Sequence, residues 1–146
     1  MTTKLARPNF EQKIVSSVET FDIWFDRVEY ALNNLDDRSM LNRSPLARLA
    51  YVKRMAKDRY GSHVLPRGLA LRDILLACVQ KISTELGDEP GLARPCKYLQ
   101  LLLQGLSRQE ISKQLGLSRE HISRVYRRKA IELLTEEFLA TIGNGH

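Results

Sequence analysis

Residues 105–134 read GLSRQEISKQLGLSREHISRVYRRKAIELL, and this stretch predicts two helices joined by a tight turn. Ser107 and Glu110 have the S-x-x-E spacing of a capping box, which starts a helix. Gly116 can adopt the positive φ that a tight turn needs, and Ser118 can cap a second helix two residues later. The spacing therefore predicts one helix over 108–115 and another from 119 to about 140.

Apolar residues inside this stretch fit the interior of a helix-turn-helix. The positions expected to be buried are Ile111, Leu115, Leu117, Ile122 and either Val125 or Tyr126. In such a motif the second helix enters the major groove of DNA with its N-terminal residues leading. The charge of the segment is consistent with DNA binding, because residues Ser107 to Lys129 include seven basic and only two acidic side chains. The pattern predicts duplex DNA as the partner, bound through the helix that opens at Ser118.

The run GLSRQEISKQLGLSREHI also resembles the fourth, promoter-recognising region of bacterial sigma factors and, more loosely, the LuxR-type output domains of response regulators. The resemblance extends from about Leu69 to Leu139 and implies a four-helix DNA-binding domain, with helices near 69–86, 93–104, 108–115 and 119–140. It departs from the sigma pattern at Ser112, where the family usually has alanine. Lys129 also stands where a small apolar residue is common, and Ala130 takes that place, so we expect the exit of the second helix to be rotated.

The resemblance implies that four residues of the second helix contact bases: Arg119, Glu120, Ser123 and Arg124. Each arginine can donate two hydrogen bonds to guanine, and a glutamate can accept one from the cytosine amine. An acid in the first turn of a helix is also favoured by the helix dipole alone, so Glu120 has two interpretations.

Phosphate contacts are expected from polar and basic residues of both helices, because such contacts fix the orientation of a protein on DNA. The predicted set is Ser107, Arg108, Lys113, Ser118, His121, Arg127, Arg128 and Lys129. His121 contacts phosphate or is simply solvated. We expect no metal site and no cofactor, because His63 and His146 are remote from it and two cysteines are too few for a zinc site. Cys78 and Cys96 are predicted to be buried, reduced hydrophobic residues.

The first long helix is amphipathic and acidic. Its apolar residues recur at alternating steps of four and three: Ile14, Val18, Phe21, Phe25, Val28, Leu32 and Leu35. Such a stripe packs on its own domain or forms a coiled-coil seam, so a homodimer through Ile14–Leu35 is one possibility and a homodimer through the C-terminal helix another. From Phe10 to Asp37 there are seven acidic and two basic residues.

A basic helix follows this acidic one. The sequence predicts a break at Leu35–Ser39, a helix that starts at Ser44-Pro45 and runs to about Arg59, and an end at Gly61. The segment Arg43–Arg67 contains seven basic residues and one acid. It is interpreted as a second phosphate-facing surface, a solvated face, or a surface that docks on the acidic first helix.

The whole chain is predicted to be all-α, with about six helices. We divide it into a helical N-terminal region for docking or dimerisation (1–66), a DNA-binding domain (67–142) and a tail (143–146). Its 146 residues are 43% hydrophobic and carry a net charge of +6. The chain has no signal-peptide core and no apolar run that could span a bilayer, so we expect a soluble, cytoplasmic, nucleoid-associated bacterial protein with no membrane contact.

The function that these observations favour is sequence-specific transcription regulation. The alternative is an interaction module that docks on RNA polymerase or another regulator and contacts DNA little. An enzyme is not predicted, because the sequence shows no Gly-rich phosphate loop, no metal-spaced carboxylates and no nucleophile with a base.

Overall fold

The computed structural model describes residues 10–61 and 67–144, and for residues 10–20, Arg119, Ser123 and Asn144 it describes the backbone only. Within these ranges the chain is helical with no β-strand, so the all-α prediction is confirmed. The elements are α1 (Phe10–Asn33), α2 (Arg38–Arg43), a 3-10 turn (Pro45–Arg48), α3 (Ala50–Tyr60), α4 (Arg67–Leu86), α5 (Ala93–Leu103), α6 (Arg108–Leu115), α7 (Arg119–His121), a π-helical segment (Ile122–Arg127) and α8 (Arg128–Asn144).

Helix α4 lies at the centre of the fold. It packs against α2, α3, α5 and α8. Its buried side chains recur on more than one face, as a helix surrounded by others requires: Ala70, Leu71, Ile74, Leu75, Cys78, Val79 and Ile82. The helix-turn-helix is therefore built onto a core rather than standing alone.

The second half of α1 belongs to the same core. Val28 and Leu32, together with Leu35 just after the helix, are buried with residues of α4 and α8, and the Trp24 ring centroid lies 6.5 Å from that of Phe138. In the described part of the apolar stripe these residues pack on the chain's own core, which agrees with the first of the two interpretations, and a homodimer stays a prediction. Hydrophobic contacts cross the predicted domain boundary at residue 66, and the division into a docking or dimerisation region and a DNA-binding domain stays a prediction.

Between α1 and α3 the predicted break is present, but two features were not predicted. α1 ends at Asn33 and residues 34–37 are not helical, in agreement with the break at Leu35–Ser39. The short helix α2 then begins at Arg38, because the Asp37 carboxylate accepts a hydrogen bond from the Met40 amide at 3.1 Å and caps that helix. The single helix predicted from Ser44 to Arg59 is divided by Leu49, whose backbone is extended (φ −64°, ψ 142°).

Other predicted boundaries in this region are confirmed. Ser44 and Pro45 do begin a helical element, the 3-10 turn, and the fully buried Ser44 hydroxyl accepts from the Leu46 amide at 3.2 Å. α3 ends at Gly61 in the left-handed conformation (φ 74°).

Both cysteines are buried and free, as predicted. Burial raises the pKa of the Cys78 and Cys96 thiols, because a thiolate loses hydration in the interior. Among the helices that the structure describes, none is both long enough and apolar enough to cross a membrane.

Candidate nucleic-acid interface

The first helix of the motif, α6, begins with the predicted capping box. The Ser107 amide donates to Glu110 Oε1 at 2.9 Å, and the Glu110 amide donates to Ser107 Oγ at 3.2 Å. These two bonds satisfy amides that have no partner inside the helix. The bond from the Ser107 backbone lowers the pKa of Glu110, since it favours the carboxylate.

The turn between the helices is centred on Gly116, which has φ 68° and ψ 30°. Its amide donates to the carbonyl of Lys113, and the Leu117 amide donates to that of Ser112 at 3.2 Å. This pair of bonds is a Schellman motif, which ends a helix sharply. The Ser112 hydroxyl also donates to the Leu117 carbonyl. Ser112 therefore links α6 to the turn through its side chain as well as its backbone.

The second helix begins at Ser118, whose Oγ accepts from the His121 amide at 3.1 Å. α7, the π-helical segment and α8 then follow without interruption, because His121 and Arg128 at the two junctions both have right-handed helical dihedral angles. We call this succession, Arg119–Asn144, the C-terminal rod. The helix predicted over 119–140 is present, and the π-helical segment inside it was not predicted.

The two helices of the motif meet through apolar residues. Ile111 and Ile122 are buried, and Leu115 and Leu117 are half-buried. Of the two alternatives for the next inward position, Tyr126 is half-buried and packs on the core, whereas Val125 is 47% exposed. The second helix is therefore held with one side toward α6.

Glu120 and Arg124, two of the predicted base contacts, project into solvent. Their side chains are 88% and 78% exposed and form an ion pair at 3.7 Å. An exposed pair of this kind contributes only about 0.3–0.5 kcal/mol, so it does not prevent Arg124 from engaging another anion. Arg119 and Ser123 lie on the same stretch of backbone, and their side chains lie outside the described part of the structure.

Most of the predicted phosphate contacts are on the surface. The exposed residues are Ser107, Arg108, Lys113, Ser118, His121, Arg128 and Lys129. Arg128 is partly engaged, since its Nε lies 3.4 Å from Glu132 Oε1 and its guanidinium lies 5.4 Å from the centroid of the Phe25 ring. Ala130 is fully buried beside the exposed Lys129, and the expected rotation of the helix exit stays a prediction.

Arg127 differs from its two basic neighbours because its side chain is turned inward and is only 11% exposed. Nη1 donates to the Tyr98 hydroxyl at 2.7 Å, and Nη2 donates to Asn33 Oδ1 at 2.8 Å. Nη2 also lies 3.5 Å from a Glu29 carboxylate oxygen. The phosphate contact predicted for Arg127 stays a prediction, and the side chain already has partners on α1 and α5.

Sequence reasoning missed this network because Asn33 and Arg127 are 94 positions apart. One signal was present. Glu29 and Asn33 are spaced four apart, each directly following a buried residue of the α1 stripe, Val28 or Leu32. Polar residues at the edge of a buried stripe are placed to bind groups on the element that the stripe covers.

The basic segment Arg43–Arg67 carries a second group of exposed cations. Lys53 and Lys57 on α3 are exposed, and Arg59 pairs with Asp73 of α4 at 3.2 Å. The Tyr60 hydroxyl donates to Asp73 as well, which raises the pKa of Tyr60. Part of the segment is therefore committed to joining α3 to α4. No group of three or more His, Cys, Asp or Glu within the described ranges is arranged to hold a metal ion.

A comparison with protein-family models agrees with this geometry. The family described as bacterial regulatory proteins, crp family, matches residues 105–128. The match begins at Gly105, includes the capping box and the Gly116 turn, and ends at the first residue of α8. No curated protein and no solved structure matches the chain. The match supports a helix-turn-helix regulator, and the resemblance to sigma factors and LuxR-type domains stays a prediction.

Proposed function

We propose that this protein is a sequence-specific transcription regulator that reads the major groove of duplex DNA with the start of the C-terminal rod. The observation that carries the proposal is the helix-turn-helix at residues 105–128, whose second helix is capped at Ser118 and presents an exposed arginine. In this motif the N-terminal part of the second helix meets base edges.

Arg124 is the base contact that the geometry favours most. Its guanidinium is in solvent and is held only by the weak pair with Glu120, so binding to guanine O6 and N7 costs little of the existing structure. Glu120, one helical turn earlier, accepts from a cytosine amine in the same proposal. Arg119 and Ser123 complete the set by their positions on the helix.

Phosphate binding is assigned to the exposed cations around these residues. Arg108 and Lys113 on α6 suit one stretch of backbone, and Arg128 and Lys129 suit another. Ser107, Ser118 and His121 add polar contacts, the first two at the N-terminal ends of their helices, where backbone amides favour anions. Each phosphate neutralised adds about −0.9 to the slope of log affinity against log salt.

The test begins with selection of bound sequences from a random duplex pool, followed by fluorescence anisotropy with the selected and a scrambled duplex. Arg124→Ala is expected to weaken binding to the selected duplex by about 1–3 kcal/mol, with a much smaller effect on the scrambled duplex. Lys129→Ala is expected to weaken both equally.

Lys81→Ala is the matched control, because it removes one positive charge from α4, where Lys81 pairs with Glu137 at 3.1 Å outside the motif. Its affinity for both duplexes should stay near that of the unmodified chain. Equal losses on both duplexes for Arg124→Ala would refute the assignment of base reading to this residue.

A second candidate function is an interaction module that docks on RNA polymerase or another regulator. It is favoured by one observation: α1 exposes Ile23 (49%) and Tyr30 (39%) beside the exposed carboxylates of Asp22 and Asp26. Co-purification of the full chain with polymerase in the absence of DNA, abolished by Ile23→Ser with Tyr30→Ser, would support it. Retention of polymerase by the double variant would contradict it.

A further inference from the structure

We propose that Arg127 is a positioning residue, through which α1 sets the orientation of the DNA-reading part of the C-terminal rod without touching DNA. This inference rests on the proposed function. It differs from a phosphate contact by Arg127, because the side chain acts on elements of its own chain.

The contacts of Arg127 join three helical elements at one point. Arg127 ends the π-helical segment, Tyr98 belongs to α5, and Glu29 and Asn33 belong to α1. Tyr98 is 2% exposed and Arg127 is 11% exposed, so its bond at 2.7 Å is largely shielded from water. Charge-assisted bonds in such surroundings are stronger than those on the surface. A guanidinium can satisfy all these acceptors at once because its donors form a fixed planar fork.

The π-helical segment explains how Arg127 reaches these partners. In a regular α-helix, a residue five positions after Ile122 lies about 140° away around the axis, well off the buried face. The i→i+5 bonding of a π segment widens the turn and brings that residue back toward Ile122. Ile122 is buried at the start of the segment, Arg127 is anchored at its end, and Arg124 projects outward between them.

The π geometry and the Arg127 contacts therefore support each other. When the polar contacts are lost, the segment can return to α-helical bonding, and this turns Arg124 relative to α6. α1 itself remains docked, because Phe25 contacts Arg128, Trp24 lies against Phe138, and Val28 and Leu32 are buried. Conservative changes to the polar contacts thus test orientation rather than release of α1.

The experiment compares Glu29→Gln, Arg127→Lys and the double variant by anisotropy with the selected duplex over a range of salt concentrations. Each single variant is expected to bind about 3- to 10-fold more weakly, because the reading-competent orientation is less populated. The double variant should bind no more weakly than the worse single variant, and the salt slope should be unchanged.

The direction in which Glu29→Gln changes the affinity for DNA distinguishes this positioning role from a purely electrostatic effect. Removing an acid raises the attraction of a protein for DNA, so a loss of affinity requires a change in geometry. If Arg127 instead bound phosphate, Arg127→Lys would bind nearly as tightly as the unmodified chain and Glu29→Gln would bind more tightly, and this result would overturn the proposal.

Glu137→Gln is the matched control, since it breaks the 3.1 Å pair with Lys81 farther along the same rod. Amide hydrogen exchange of residues 119–127 in the free protein should become faster in Glu29→Gln and Arg127→Lys but not in Glu137→Gln. Unchanged exchange would overturn the positioning role whether or not DNA binds. A chain that binds no duplex but shows the faster exchange would instead refute the proposed function.

Discussion

Replacing Gly116 by alanine isolates the backbone requirement of the turn. Gly116 has φ 68° and ψ 30°, and a Cβ built there would meet no atom within 4 Å. The cost of the substitution is therefore that of the left-handed conformation alone, about 1–2 kcal/mol for an L-residue. Alanine also restricts the unfolded chain, and this stabilises the folded state by about 0.4–1 kcal/mol. We expect a net loss of roughly 1 kcal/mol in the free energy of unfolding.

Urea unfolding followed by circular dichroism measures this loss as a lower midpoint at an unchanged m value. Gly143→Ala is the matched control, because Gly143 lies within α8, also has open space at the Cβ position and has no positive φ. It should be as stable as the unmodified chain or slightly more so. Gly116→Asn should lose less than Gly116→Ala, since asparagine tolerates the left-handed region. Equal stability of Gly116→Ala and Gly143→Ala would refute the positive-φ turn on which the motif depends.

Three further predictions concern the capping box, a helix crossing and the thiols. The pKa of Glu110 is lowered in the folded chain, so the Glu110 carboxylate stabilises the fold fully above the unfolded pKa of about 4.3. This stabilisation is lost as pH falls through the lower folded pKa. Glu110→Gln should therefore make the free energy of unfolding, measured with urea, fall less steeply at acid pH. Gly68→Ala should lower the free energy of unfolding by about 1–3 kcal/mol in the same assay. A Cβ at this position would lie 2.7 Å from Asn42 Oδ1 and 3.0 Å from Leu41 Cβ, and Asn42 Oδ1 already accepts a hydrogen bond from the Gly68 amide. Cys78 and Cys96 are 3% and 2% exposed and their thiol pKa values are raised, so a disulfide reagent should label them far more slowly in buffer than in denaturant; rapid native labelling would contradict their burial.

The helix-turn-helix could be predicted because its signals are local. A capping box, a glycine and a second cap act within a few residues, and the structure forms each of those bonds. The α2 region could not be predicted in the same way. Asp37 is a residue type that both breaks and caps helices, and the choice depends on burying Leu41 and Leu46 against distant parts of the chain.

Residues 127–129 are three consecutive cations, and the phase of the helix decides which of their side chains points inward. At about 100° per residue, a regular α-helix places Lys129 within about 20° of Ile122 around the axis, on the same side. Ile131, Leu134 and Phe138, which are all fully buried, would lie about 120–180° from Ile122, and Arg127 would lie among them at about 140°. One regular helix therefore cannot bury both Ile122 and the later group on one side, and the π-helical segment lies between them.

The change of phase links the two halves of the C-terminal rod. Up to Ile122 the buried side of the rod faces α6, and from Arg127 onward it faces α1 and α4. In the sequence, this change of phase is marked by Lys129, a charged residue directly before the buried Ala130. A regular helix keeping the first phase would point Lys129 inward and Arg127 away from Tyr98, leaving a buried hydroxyl without this partner. The fold therefore needs the wider turn at the point where the proposed function needs Arg124 held outward. A change to the residues that hold this turn, such as Arg127, should therefore alter the orientation of Arg124 as well.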